Sequence, residues 1–261
     1  MASDPRGPGR LSAFLFLLLN LAGVAVFLYP FWAPSRADVM QARAVMVLAS
    51  GAAALILLAL VSEAQTGLTA LTVAMLGALV GLNTALRVAD NTLLPLPGGF
   101  SPVFLLIILV GYTFGPHLGF LMGALTLLVS EPLSPGGLGP WTPYQMLAAG
   151  WVGLGAAWLP RRRGSRIALA VYGLIWGWAF GALTNLYFWP FTFLAPDLGW
   201  QPGLGPLGTL ERYGRYYLVT SLAWDSMRAV GNLVLMALLG PTLIKPLERF
   251  RRKAAVVWQP G

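Results

Sequence analysis

The sequence predicts an all-α fold embedded in a membrane. Three observations predict it: charged residues are scarce, apolar runs of spanning length follow one another, and basic residues gather in short segments between those runs. Hydrophobic residues make up 57% of the 261 and charged residues 10%, whereas soluble domains carry about 25% charged residues. So few charges cannot cover a body of this size with a wetted surface, and lipid is the solvent that fits. The formal charge of +8 would suit nucleic acid, but its placement argues against that partner. Eleven of the 17 basic residues lie in three clusters: Arg6 and Arg10; Arg161, Arg162, Arg163 and Arg166; and Lys245, Arg249, Arg251, Arg252 and Lys253. Each flanks a long apolar run, as loops held on the cytoplasmic side do. Cationic loops beside anionic headgroups need no nucleic acid.

A spanning helix needs about 20 apolar residues. Runs that approach or exceed this are Ser12–Phe31, Gln41–Ser62, Gly67–Leu86, Pro102–Phe114, His117–Ser130, Pro143–Leu159, Ser165–Trp189 and Tyr217–Gly240. The first follows a basic start and could pass for a signal peptide. Its length and the lack of a clear small-x-small cleavage site favour a retained helix. The fourth and fifth runs are short and are punctuated by Gly115–Pro116, because proline cannot continue the helix. They read either as two tightly turned spans or as a re-entrant hairpin, and both return the chain to the same side. With eight passes, all three basic clusters fall on one face, expected to be cytoplasmic with both termini. The nearly neutral loops around Arg36, Arg87–Phe100, Glu131–Thr142 and Pro190–Tyr216 fall outside. These loops mix apolar residues with glycine and proline, so they rest on the bundle or on a ligand rather than acting as linkers. No internal repeat is evident.

The composition excludes several chemistries. With no cysteine and one histidine, thiolate and histidine-rich metal sites and cysteine nucleophiles are unavailable, so neither metal nor cofactor is expected. Ser101 and its only candidate base, His117, stand at opposite ends of the fourth run, about 20 Å apart at helical rise. Asp225 has no second deep aspartate as partner. No P-loop is present, so an ATP-driven role needs separate ATPases.

Four constellations carry polar or packing chemistry. Ala70, Ala74 and Ala78 recur every four residues, with Gly77 and Gly81 nearby; such a stripe admits close approach of a helix from the same chain or another. In Trp224-Asp-Ser-Met-Arg228, followed by Asn232, Asp225 and Arg228 share a helix face. Read as part of the span from Tyr217, they lie about 12 and 16 Å from its outer end. Ionisable groups at such depth face an interior, either as a structural pair or as the floor of a cavity. Trp141, Tyr144, Gln145, Asn185, Tyr187, Phe188, Trp189, Phe191, Phe193, Trp200, Tyr213, Tyr216 and Tyr217 cluster toward the outer face. Singly the aromatics suit an aromatic belt, which Asn185 fits less well, because an amide inside a span needs a partner; together the group suits a flat amphipathic ligand. Arg87, Glu131 and His117 read as an interfacial arginine, a turn or cap residue and a structural turn histidine.

The stretch from Gly67 to Arg252 resembles the substrate-binding S components of energy-coupling factor (ECF) transporters. The resemblance rests on Ala-Leu-Arg-Val88, Phe100-Ser-Pro-Val-Phe104, Gly-Tyr-Thr-Phe-Gly-Pro116 with Gly119, Gly139-Pro-Trp-Thr-Pro-Tyr-Gln-Met-Leu147 with Gly150 and Gly153, and Trp224-Asp-Ser-Met-Arg-Ala-Val-Gly-Asn232. It implies a six-helix core over 67–244, preceded by a tail and two extra transmembrane helices in 1–66 and followed by a basic tail in 245–261. It further implies capture of a vitamin or related micronutrient from outside, and docking on a membrane T component that carries two ABC ATPases. The alanine stripe would be the docking face and the Arg87–Phe100 loop a lid. The substrate-contacting set is then Arg87, Asn91, Phe100, Trp141, Tyr144, Gln145, Asn185, Tyr187, Trp189, Trp224, Asp225, Arg228 and Asn232. Cobalamin or another corrinoid is the first expectation, because the Gly-Pro-Trp-Thr-Pro run and the Asp-x-x-Arg pair look most like cobalamin-type members. Riboflavin and queuosine-type bases are alternatives, and a membrane scaffold without a small-molecule ligand is the rival reading.

Overall fold

The computed structural model describes residues 10–28, 31, 70–93, 101–139, 141–161, 165–192 and 197–256. The expected span Gln41–Ser62 and the candidate contact Phe100 lie outside the described residues. Within them every regular element is helical: α1 (Arg10–Phe27), α2 (Ala70–Val88), α3 (Val103–Phe114), α4 (Pro116–Ser130), α5 (Thr142–Ala156), α6 (Ser165–Phe188), α7 (Gly205–Thr220) and α8 (Leu222–Val256). Among the described residues three stretches are long and apolar enough to cross a membrane, Ala70–Thr92, Ser165–Phe188 and Leu222–Lys253. Large apolar side chains stand exposed on their outer faces, among them Leu82 at 52%, Ile175 at 54% and Leu238 at 63%. Water would not tolerate such faces; hydrocarbon does.

α3 is too short to span alone, about 18 Å long at helical rise, and Val103–Thr113 is buried on every side. A helix that is apolar all round belongs at the centre of a bundle. Gly115, at φ 100, ends α3, and Pro116 opens α4 without losing a helical hydrogen bond. The two helices form a tight hairpin against α5. Glycines permit that approach: a Cβ on Gly111 or Gly119 would overlap the Gly153 carbonyl, and one on Gly123 would overlap the Ala149 backbone. We expect Gly153→Ala to lower stability by about 1–3 kcal/mol through overpacking. Gly77→Ala on α2, where a Cβ meets nothing within 4 Å, should leave it unchanged or slightly raised. Thermal unfolding in detergent checks both. A second glycine row, Gly173, Gly177 and Gly181, lets α6 lie on α8 at Asn232, Ala229 and Asp225.

The basic segments share one end of the bundle. Arg161 Nη2 donates to the Tyr112 carbonyl at 2.9 Å and Arg251 Nη1 to the Thr113 carbonyl at 3.0 Å, so both reach the C-terminal end of α3. α1 begins at this same end, where Phe16 lies 4.5 Å from the ring of His117 in the first turn of α4. It runs along α5 to Phe27, whose ring meets Tyr144 in that helix's first turn at 5.3 Å.

Two sequence expectations need correction. The run Tyr217–Gly240 is not one helix. The chain breaks at Ser221, with φ −129 and ψ −25, so that α7 is a separate, more polar helix that begins in the expected Pro190–Tyr216 loop and takes in the start of the expected span. Thr220 and Ser221 stand there with hydroxyls 3.0 Å apart, residues that compete for backbone hydrogen bonds and weaken a helix. The basic segment from 245 is helical in its described part. α8 continues through Pro241 and Pro246 to Val256, because Leu243, Ile244 and Leu247 pack inward and Phe250 meets Phe114. Finally, the Arg87–Phe100 stretch is not loop throughout, since α2 runs on as a π-turn over Ala89–Leu93.

Candidate functional site

Opposite the arginine-rich end, α2, α4 and α5 bring a polar network together around Arg87 in the last turn of α2. Its Nη2 donates to Glu131 Oε1 at 2.6 Å and reaches Gln145 Oε1 at 3.5 Å. Its Nη1 donates to the hydroxyls of Ser130 at 2.8 Å and Ser134 at 3.2 Å. The second Glu131 oxygen accepts from Trp141 Nε1 at 3.1 Å, and Asn91 Nδ2 donates to Ser134 at 3.4 Å. The Arg87 and Glu131 side chains are only 13% and 3% exposed. Such a pair persists in a low-dielectric setting only because serine, tryptophan and glutamine groups satisfy the remaining donors and acceptors. Beside it, Tyr144 and Tyr187 stack with centroids 4.0 Å apart and planes at 11°, and the edge contact of Phe27 backs Tyr144.

A second cluster lies where α6, α7 and α8 meet. Asp225 occupies the first turn of α8, whose N-terminal partial charge favours a carboxylate. Its Oδ1 accepts from Arg228 Nη1 at 2.7 Å and its Oδ2 from the Tyr217 hydroxyl at 2.9 Å. The carboxylate rests on Gly181, where any Cβ would collide with it. Arg228 lies over the Phe180 ring at 5.7 Å, and Phe180 meets Phe104 at 4.9 Å. The break at Ser221 puts Asp225 one turn into its helix rather than 12 Å down a longer one. It is enclosed all the same, because Gly181 lies about 10 Å short of the end of α6. α3 begins between the clusters: the Val103 carbonyl accepts from Asn83 at 2.9 Å, while Phe104 faces Phe180.

The other expected contacts scatter. Asn232 is buried toward α6, its Nδ2 without a partner. Asn185 is half-buried one turn beyond Gly181. Trp224 is 59% exposed on the outer side of α8, turned away from its neighbour Asp225. Trp189 is fully buried, donates to the Leu198 carbonyl at 2.8 Å and packs with Trp200, Tyr213 and Tyr216. It anchors the outer loop. Tyr213 donates to the Ala182 carbonyl, and burial pushes the Tyr213 and Tyr216 hydroxyls above the usual tyrosine range, so these donors stay protonated. Ala70, Ala74 and Ala78 are exposed, and Gly77 and Gly81 face open space, so this stripe is not spent on packing within the described chain.

Sequence reasoning missed Glu131 as the partner of Arg87, Ser130 and Ser134 as its supports, and Tyr217, Phe180 and Gly181 around Asp225. The signal that could have found Gly181 is its four-residue spacing from Gly177 and Gly173.

Spanning-length apolar helices, lipid-compatible outer faces and two charged, hydrogen-bonded clusters held inside the bundle define a polytopic membrane protein. The family model for the ECF transporter, substrate-specific component, matches residues 68–240, and the chain belongs to that family, which comprises transporters rather than enzymes. No curated protein and no solved structure matches the chain. The matched region begins just before α2 and ends within α8, so α1 lies outside it.

Proposed function

We propose that this chain is the substrate-capturing subunit of an ECF-type importer: it takes a vitamin or related micronutrient from outside the cell and delivers it through a T component driven by two ABC ATPases. The observation that carries this reading is the Arg87–Glu131–Trp141–Gln145 network beside the Tyr144–Tyr187 stack. It puts hydrogen-bonding edges and flat aromatic faces at the end of the bundle away from the basic segments. A planar heterocycle with polar edges is complementary to that chemistry. Among such ligands cobalamin or another corrinoid is favoured, on the Gly139–Pro143 run and the Asp225–Arg228 pair.

The uncovered Ala70–Ala74–Ala78 face fits docking on the T component. Small side chains let a partner helix approach closely in lipid, and α1 rests on α5 and α6 rather than on this face. The basic end is taken as cytoplasmic.

Isothermal titration of the purified protein against cobalamin, riboflavin, biotin, thiamine, folate and queuosine should give saturable binding of one compound. A flat response across the panel would leave the membrane scaffold as the better reading.

A further inference from the structure

Among the described residues, the arginines divide by position. At the end that carries the candidate site, Arg87 faces Glu131, Arg215 faces Glu211 and Arg228 faces Asp225, while Arg212 donates to the Gly199 carbonyl at 3.0 Å. At the opposite end only Arg252 faces a carboxylate, and it stands 4.0 Å from Glu248. Arg161 and Arg251 instead place one nitrogen each on successive carbonyls, those of Tyr112 and Thr113 in the last turn of α3. A helix C-terminus attracts cations, but two guanidiniums brought to adjacent residues repel each other, and one partial negative charge does not neutralise both. Arg161 is also held over the Tyr112 ring at 5.7 Å. Each guanidinium has five N–H donors and spends one group on a carbonyl, so a pair of exposed forks is left, with no carboxylate within ion-pair distance of either among the described residues.

We propose that Arg161 and Arg251 form a binding site for the phosphate of an anionic phospholipid headgroup. Guanidinium forks match phosphate oxygens in geometry and charge. Two surroundings favour a lipid over a free anion. Trp158, one turn before Arg161, is 70% exposed at the foot of an apolar helix, where tryptophan settles at the headgroup level. At the end of α8, Leu243, Ile244 and Leu247 pack inward and leave Lys245, Arg249 and Lys253 exposed, cations that anionic headgroups attract. The lipid would bridge α3, the α5–α6 connection and α8, three elements tied at this end by the two arginines. This inference needs no vitamin ligand and stands apart from the proposed transport substrate.

The test uses the full-length protein in a zwitterionic detergent with added phosphatidylglycerol, phosphatidylcholine or inorganic phosphate. Native mass spectrometry reads bound lipid, and thermal unfolding reads stabilisation. Phosphatidylglycerol should be retained and should raise the unfolding temperature by several degrees, with phosphatidylcholine and inorganic phosphate giving neither effect. R161Q/R251Q should weaken retention at least tenfold, R161K/R251K should fall between it and wild type, and R215Q, altered at the far end, should bind as wild type does. Unfolding in phosphatidylcholine alone establishes that each variant is folded, and the graded lysine variant decides the matter if the glutamine variant is not. Equal retention of phosphatidylcholine, unchanged binding by R161Q/R251Q, or an equal effect of inorganic phosphate would overturn the proposal. So would loss of T-component assembly in R161Q/R251Q without loss of lipid, which would assign the pair to a protein contact.

Discussion

Glu131→Gln should destabilise the protein by about 3–5 kcal/mol, the cost of removing one partner of a buried ion pair and leaving the other charge behind. The size follows from the enclosure of Arg87, whose guanidinium is held among Ser130, Ser134 and Gln145 with little water to take over. Arg87→Gln should cost a similar amount by stranding Glu131, which is 3% exposed and would keep only the Trp141 donor. The double variant R87Q/E131Q should recover much of the loss, because no net charge is then buried. Thermal unfolding of the two single variants and the double variant in detergent measures the coupling. Additive losses would mean that the pair is solvated and that the network does not organise this end of the bundle.

The placement of that network shows where sequence reading reached and where it stopped. The all-helical membrane architecture was legible because the solvent imposes it: backbone groups must be paired within each segment, so long apolar runs can hardly be anything else. The turn at Gly115–Pro116 was legible because proline carries its signal locally. Glu131, by contrast, sits at a helix end followed by proline, and a cap is the obvious local reading. Its partner lies 44 residues away, and nothing in the intervening composition announces the contact. The break at Ser221 escaped for the opposite reason. No glycine or proline marks it, Thr220 and Ser221 are a weak local signal, and the apolar pattern continues across the turn that brings the Tyr217 hydroxyl to Asp225. The small-residue stripes show the same limit. The alanines of α2 and the glycines of α6 look alike as spacings. Which stripe is buried was decided by what faces it: the alanines are uncovered, whereas Gly181 is the floor for a carboxylate.

Asp225 offers the sharpest division between structure and transport. Asp225→Asn keeps the shape and can still accept from Tyr217, but it removes the charge that holds Arg228, whose side chain is 22% exposed. The partial exposure lets water take up some of the stranded charge, so the expected loss is about 1–3 kcal/mol, the cost of leaving a buried polar group unsatisfied. Gly181→Ala should produce a similar loss by another route. It leaves every polar atom in place but puts a Cβ where the carboxylate lies, forcing Asp225 off both Arg228 and Tyr217 or pushing α6 away from α8. If the cluster only cements the helices, D225N/R228Q should restore stability and leave ligand titration as in wild type. If it is the floor of the ligand site, stability should return while binding stays at least tenfold weaker, a loss of about 1.4 kcal/mol or more. Calorimetric titration of the wild type, D225N, G181A and D225N/R228Q with the compound selected from the panel, beside their unfolding temperatures, separates the two roles. Wild-type affinity in a restored double variant would remove Asp225 and Arg228 from the ligand site and leave the Arg87 network to carry recognition.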